Sequence, residues 1–447
     1  MRLLPQDHPD RLSLADEVHA RPPEPLETPS RATYVAVLVE PDARERERAH
    51  LADLCAAFGV PGPAEGATHF SAPLGPLRVK WERHGEFSGY TFFTAGRSPQ
   101  PFSEPPTTLL PPDWLVGIPG MTVVAAHAKL VPADEVLPDA ALLARHFGGN
   151  IVVGAGVADG KGVVYTDFRI HDDGCARFLV LDRGFTPRQA GRMLQRLFEI
   201  EAYRMMALLA LPIARQQSPR IVAIERALAA LTHRIANGDT REKRDTRDTG
   251  DATGHQAGDD EALLQQLTKL AAEVESGLAT SQFRFGACRA YFELVTRRIA
   301  ELRETRIDGV QPIEEFMARR FTPAVATCAT VSQRLHDLSE RVAQASALLS
   351  TRVEIARERQ NQSLLSSMDR RARLQLRLQQ TVEGLSVAAI VYYVAGLAGY
   401  GAKALKAAGL RIDPDLAVGL AIPVVAILVI WTVRRARHGA SVHHPLD

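Results

Sequence analysis

Apolar and polar residues alternate along "LRVKWERHGEFSGYTFFT". Leu77, Val79 and Trp81 point one way, and Arg78, Lys80, Glu82 and His84 the other. Period two predicts a strand with one wet face. His84-Gly85-Glu86 then forms a turn into a partner strand over residues 90–94. The pattern returns further on, where Val164, Thr166, Phe168 and Ile170 alternate with Tyr165, Asp167, Arg169 and His171. There "HDDG" supplies an Asp-Gly turn and "CARFLVLD" the returning strand. Before the first hairpin, "ATYVAVLV" reads as a buried strand. "DARERERAHLADLCAAFG" comes next as a helix capped by Asp42, with Leu51, Leu54 and Phe58 inward and Gly59 at its end. Before the second come a strand near residues 123–131 and a short helix ending in "HFGGN". Strand, helix and hairpin thus occur twice in order, which raises an internal duplication.

From Thr186 the period changes to three and four. Thr186 and Pro187 are a helix cap and first helical residue, and Pro212 and Pro219 should kink or divide that helix. Residues 237–261 are polar and Gly-rich and read as a disordered loop. Cys328, Val331, Leu335, Leu338, Val342, Ala345 and Leu349 form a heptad seam, continued weakly by Leu364, Leu374 and Leu378. A helix from there to residue 402 would run for roughly 120 Å. It ends in a charge-free stretch, residues 384–402. A second lies over residues 416–433, each about the length that crosses a hydrocarbon core. The predicted fold is an α+β N-terminal domain (1–183), a long helical coiled-coil stalk (184–383), and a two-helix transmembrane hairpin with a basic tail (384–447). Ala395 and Gly399 give the first span a small-xxx-small face, which with the seam predicts a homo-oligomer.

Arg370, Arg371, Arg373 and Arg377 precede the first apolar stretch, and Arg434, Arg435 and Arg437 come after the second. The linker carries Lys403, Lys406 and Arg411. The bias puts both flanks and both termini in the cytoplasm, with the bilayer of a bacterial inner membrane as partner. The first residues, interrupted by Arg2, Asp7, Asp10 and Arg11, do not read as a signal peptide. Net charge is +1 over 447 residues, which argues against a nucleic-acid partner. The 4 cysteines make no C-x-x-C pair and suit a reducing compartment.

Little in the chain predicts catalysis. "GAGVADGKG" lacks the first Gly and the Ser/Thr of a phosphate loop and precedes a strand, so it reads as a hairpin turn. His171-Asp172-Asp173 reads as a turn rather than a metal site, and no cofactor is expected. Were the two hairpins to share a sheet, Lys80, Glu82 and His84 would adjoin Tyr165, Asp167 and Arg169 in a polar pocket. The alternative is a solvated sheet face. "EVHARPPEP" suits an extended Pro-rich strap.

Several long stretches carry a resemblance: "HPDRLSLADEVHARPPEPL", "LRVKWERHGEFSGYTFF", "DFRIHDDGCARFLVLDRGFTPRQAGRMLQRLFEIEAYRMMALLALPIAR" and "TVEGLSVAAIVYYVAGLAGYGAKALKAAGL". They resemble the bacterial family catalogued as domain of unknown function 3422, described as predicted membrane-anchored proteins. The resemblance implies that architecture and no reaction. The layout is also similar to that of CorA-type magnesium channels, which carry Tyr-Gly-Met-Asn at the outer mouth. Tyr400, Gly401, Ala402 and Lys403 stand at the matching place, so Met and Asn are not matched. The expected role is a non-enzymatic membrane-anchored scaffold or sensor, with a CorA-like ion-conducting homo-oligomer as the alternative.

Overall fold

The computed structural model describes residues 5–12, 14–15, 22–100, 102–135, 139–245, 252–409 and 413–440. An eight-stranded sheet organises the first half of the chain, in the order β2-β3-β4-β1-β5-β8-β7-β6. Its strands are β1 (Ser30–Leu38), β2 (His69–Leu74), β3 (Leu77–Arg83), β4 (Phe87–Ala95), β5 (Met121–Pro132), β6 (Val153–Val157), β7 (Gly162–Thr166) and β8 (Ala176–Asp182). All neighbours are antiparallel except β5 and β8. Two strand–helix–three-strand halves meet at the β1–β5 seam. They are not repeats of one another, since β1 runs antiparallel to β4 whereas β5 runs parallel to β8.

The predicted 77–94 hairpin is present as β3 and β4, and "GAGVADGKG" is the β6–β7 hairpin. The second alternating segment departs from its pattern. β7 stops at Thr166, and Phe168 has a positive φ of 51°. The chain leaves the sheet there and re-enters it at Ala176. β2 alternates, with Phe70, Ala72 and Leu74 at least partly covered and His69, Ser71 and Pro73 exposed, and Pro73 suits its place at the sheet edge.

One face of the sheet buries Val35, Val37, Trp81, Tyr90 and Phe92 against Leu51 and Leu54 of helix α1 (Arg44–Ala57) and against Trp114. Asp42 does not cap α1; a 3-10 turn, Pro41–Ala43, leads into it and no side chain caps the start. Further along the same sheet, Val131, Val163, Tyr165, Leu179 and Leu181 pack with Phe147 of α2 (Ala140–Phe147), which Asp139 caps and Gly148 ends in the left-handed conformation. The opposite face lies under α3 (Pro187–Leu208), opened by a capping box between Thr186 and Gln189. Phe198 of α3 stacks on Tyr34 (5.1 Å) and meets Phe178 edge-on. Residues 22–27 lie along α3, where Leu26 N–H bonds Pro187 C=O (3.0 Å). Only this end of the predicted strap falls within the described residues.

The remaining helices are α4 (Ala210–Asp245), α5 (Ala252–Leu302), α6 (Ile313–Arg320), α7 (Thr322–Ala407) and α8 (Pro414–Ala440). The segment expected as a disordered loop is helical over 237–245 and 252–261. These residues are the last turns of α4 and the first turns of α5, added to helices that extend well beyond them. Two compact units result: Met1–Arg247 with Leu263–Ala347, and Asp248–Ala262 with Leu348–Asp447.

The predicted stalk and hairpin need correction. From Cys328 to Val342 the seam is buried inside the first unit, so there it serves this chain's own packing. Arg334 of α7 pairs with Glu225 of α4 (2.7 Å), and Gly277 of α5 faces Leu335. No coiled-coil stalk precedes a transmembrane hairpin. Among the described residues one helical run is long and apolar enough to span a bilayer, Ile313–Ala407, with an 18-residue window of mean hydropathy 1.6 that is 6% buried. The other apolar stretch, Val418–Thr432, is shorter. At 1.5 Å per residue it covers about 22 Å against a hydrocarbon core of about 30 Å.

After α5 the chain returns to the sheet and covers its last strand. Thr305 exchanges two backbone hydrogen bonds with Gly156 (2.8 and 2.9 Å), and Gly154 N–H bonds Gln311 C=O (2.9 Å). A β-carbon on Gly156 would lie 2.3 Å from Thr305 Oγ1. Gly156→Val is therefore expected to pry this segment off β6 and cost about 1–3 kcal/mol. Faster amide exchange at Gly154 and Thr305 would accompany the loss, and unchanged protection there would refute the account.

Candidate functional site

Lys80 and Glu82 of β3 and His84 do lie together, but not on a solvated face. α3 lies over them, and Lys80 is 5% exposed. Lys80 Nζ pairs with Glu82 (3.0 Å) and donates to Gln195 Oε1 of α3 (3.3 Å). Gln195 Nε2 donates in turn to Glu199 (2.8 Å), and Glu199 pairs with Arg298 of α5. Arg298 also reaches Glu301 (3.0 Å), which Arg196 holds from α3 (3.0 Å). A continuous row of charge-assisted bonds thus ties β3, α3 and α5 together. His84 stacks on Phe87 (4.3 Å) with Tyr203 edge-on. Beside it, Glu86 pairs with Arg284 and accepts from the Tyr291 hydroxyl (3.1 Å). Burial, then the Glu86 charge, raises the Tyr291 phenol above its ordinary range. The space left among Lys80, Glu82, His84, Gln195, Glu199 and Tyr203 is about 20 Å³, room for about one water molecule and far below a metabolite site.

Tyr165, Asp167 and Arg169 are elsewhere. Four strands separate β3 from β7, so the two sets stand about five strand spacings, or ~24 Å, apart. Tyr165 is in the core beside Phe147, and burial raises its phenol. Asp167 accepts from Asn150 (2.9 Å) and from the Arg169 backbone N–H (3.2 Å), and lies 2.9 Å from His171 Nε2. Its side chain is fully buried and holds the chain's exit from β7. The six candidates form no common pocket. Among the described residues no group of three or more His, Cys, Asp or Glu is placed to hold a metal ion.

Glu47 of α1 was not expected in a core and is 0% exposed. Its Oε1 accepts from Trp81 Nε1–H and from the Tyr90 hydroxyl, both at 2.9 Å, while Oε2 has no partner. Burial, then the nearby carboxylate, pushes the Tyr90 phenol well up. One signal was available: Ala43, Glu47, Leu51 and Leu54 step by four, four and three, which puts Glu47 on the inward stripe of α1.

In the second unit, Gly399 faces Val418 of α8, and a β-carbon there would lie 2.9 Å from Val418 Cγ2. Ala395 and Ala402 are buried as well. The small-residue face is therefore covered by this chain's own α8. Tyr400 is 74% exposed, with Lys403 Nζ 6.0 Å from its ring centre. Gly401 faces open space.

A family model described as "Protein of unknown function (DUF3422)" matches residues 6–440. No curated protein matches the chain, and no protein of solved structure does.

Proposed function

Because the chain belongs to the DUF3422 family, whose description carries no activity, we propose a function from its geometry: a non-catalytic, membrane-attached scaffold or sensor of the bacterial inner membrane. The observation that carries this reading is the apolar end of α7, exposed almost throughout its most hydrophobic window. Tyr392, Tyr393, Leu397 and Tyr400 are each at least 70% exposed. A surface of that kind, unbroken by charge between Glu383 and Lys403, is costly in water and suited to lipid. Arg370, Arg371, Arg373 and Arg377 on its N-terminal side favour a cytoplasmic sheet domain. The scaffold reading draws on the row of ion pairs from Lys80 to Arg196. These groups hold one another across three elements, and at the Lys80 end Lys80, Glu82, Gln195 and Glu199 line space for little more than a water molecule.

Leu364, Leu365, Met368, Leu374 and Leu378 are 56–70% exposed on the stretch of α7 before the apolar end. Self-association through this stretch belongs to the same proposal. Light scattering in mild detergent is expected to give a multiple of the 48.8 kDa chain mass, and Leu364→Glu with Met368→Glu to reduce it. A monomer in the unsubstituted protein would remove self-association from the reading.

Membrane attachment is tested by alkaline carbonate extraction. The full chain is expected to stay with the membrane pellet, and a chain ending at Glu383 to be released. Release of the full chain would overturn attachment.

A further inference from the structure

Where α3, the end of α5 and the β6–β7 turn meet, an open cleft of about 450 Å³ is rimmed by Arg192, Arg196, Arg297 and Arg303. Its volume falls within the range of small-molecule sites. Four guanidiniums face one lining carboxylate, Glu301. That carboxylate is already held by Arg196 and by Arg298, and Arg303 is paired with Asp159 (2.6 Å). Arg192 and Arg297 are left facing the cleft with no further acid to balance them among its lining residues. Lys161, on the β6–β7 turn, donates to Gln189 of the cleft wall (3.4 Å) and adds a further positive charge close by.

Helix electrostatics favour Arg303, which directly follows the last residue of α5, but not Arg192. Arg192 lies near the N-terminal end of α3, where the macrodipole disfavours positive charge, and the last turn of α5 contains no basic residue. Ala158, Met193 and Ala300 complete the wall with apolar surface. Arginine presents a planar fork that matches phosphate oxygens two at a time, and apolar wall beside it suits the organic part of a phosphorylated molecule.

We propose that this cleft is an anion site for a phosphate-bearing ligand, with Arg192 and Arg297 as its principal phosphate contacts. The inference is independent of membrane attachment, and the cleft is separate from the closed space around Lys80.

The test uses the full chain in neutral detergent and two probes that distinguish a free solute from a lipid headgroup. Inorganic pyrophosphate is titrated by calorimetry, and phosphatidylglycerol is titrated in mixed micelles by tryptophan fluorescence and melting temperature. Saturable binding of at least one probe is expected, weakened about tenfold or more by Arg192→Ala with Arg297→Ala and less by the paired Lys substitutions. Both positions are exposed, so the melting temperature without probe should be unchanged. Binding of pyrophosphate identifies a soluble ligand, and binding of phosphatidylglycerol alone a headgroup. If neither binds, or if the alanine pair binds as well as the original protein, the cleft is not a phosphate site.

Discussion

Glu47→Ala is expected to cost about 2–6 kcal/mol of folding stability, because it strands two buried donors at once. Trp81 Nε1–H and the Tyr90 hydroxyl both point at Glu47 Oε1, and Trp81, Tyr90 and Glu47 are all 0% exposed. No water can replace the lost acceptor without opening the core between α1 and the sheet. Each stranded donor costs about 1–3 kcal/mol. Glu47→Gln keeps an acceptor in place and is expected to lose less than half as much. Tyr90→Phe removes one donor and leaves the other paired, at about 1 kcal/mol. Denaturant unfolding tracked by tryptophan emission reads all three, since Trp81 and Trp114 sit in this cluster. Equal losses for Ala and Gln would show that packing, not the shared acceptor, makes the position sensitive.

The second large effect is on pH. Glu304 lies just beyond α5, and its Oε2 accepts from the Glu314 backbone N–H at the start of α6 (3.2 Å), while Oε1 is buried without a partner. Burial is the main cause that raises its pKa from 4.5 to about 7, and the Glu314 charge adds to it. A carboxyl whose native pKa lies above its unfolded value takes up a proton on folding. Its contribution is fully present below about pH 4.5 and is lost as pH rises through about 7. Across that window the linkage amounts to at most about 3 kcal/mol. Glu304→Gln, neutral at every pH, is expected to flatten the fall in stability between pH 4.5 and 7 and to be more stable than the original protein at pH 8. A parallel pH profile in the two proteins would assign the dependence to other groups.

β1 was read from an apolar run, whereas periodicity located β3, with β4 as its partner across the turn. Periodicity could not say what covers the polar face. Lys80 and Glu82 read as solvated because alternation looks the same whether water or a helix lies above it. Gln195 and Glu199, which meet them, sit on α3 more than a hundred residues later. Strand order was equally hidden. Tyr165 and Lys80 do share one sheet, as the pocket required, yet β4, β1, β5 and β8 lie between them. β2 escaped notice although Phe70, Ala72 and Leu74 alternate with His69, Ser71 and Pro73, because the run is short and holds a proline, as an edge strand tolerates. The heptad seam was legible as a buried stripe, but spacing alone does not distinguish a partner copy from α4 and α5 of the same chain.

The closure of the β6 edge by Thr305 and Gln311 has a consequence for the chain as it leaves the ribosome. Gly156 and Thr305 are separated by 149 residues (305 − 156), so β6 exists long before its cover. At roughly 5–20 residues per second, its outer backbone groups stay open for about 7–30 s. An unpaired strand edge is a template for pairing with other nascent chains. The interval is when a folding assistant would be needed most, and slowing translation between residues 157 and 305 should raise the aggregated fraction without altering the stability of the finished protein.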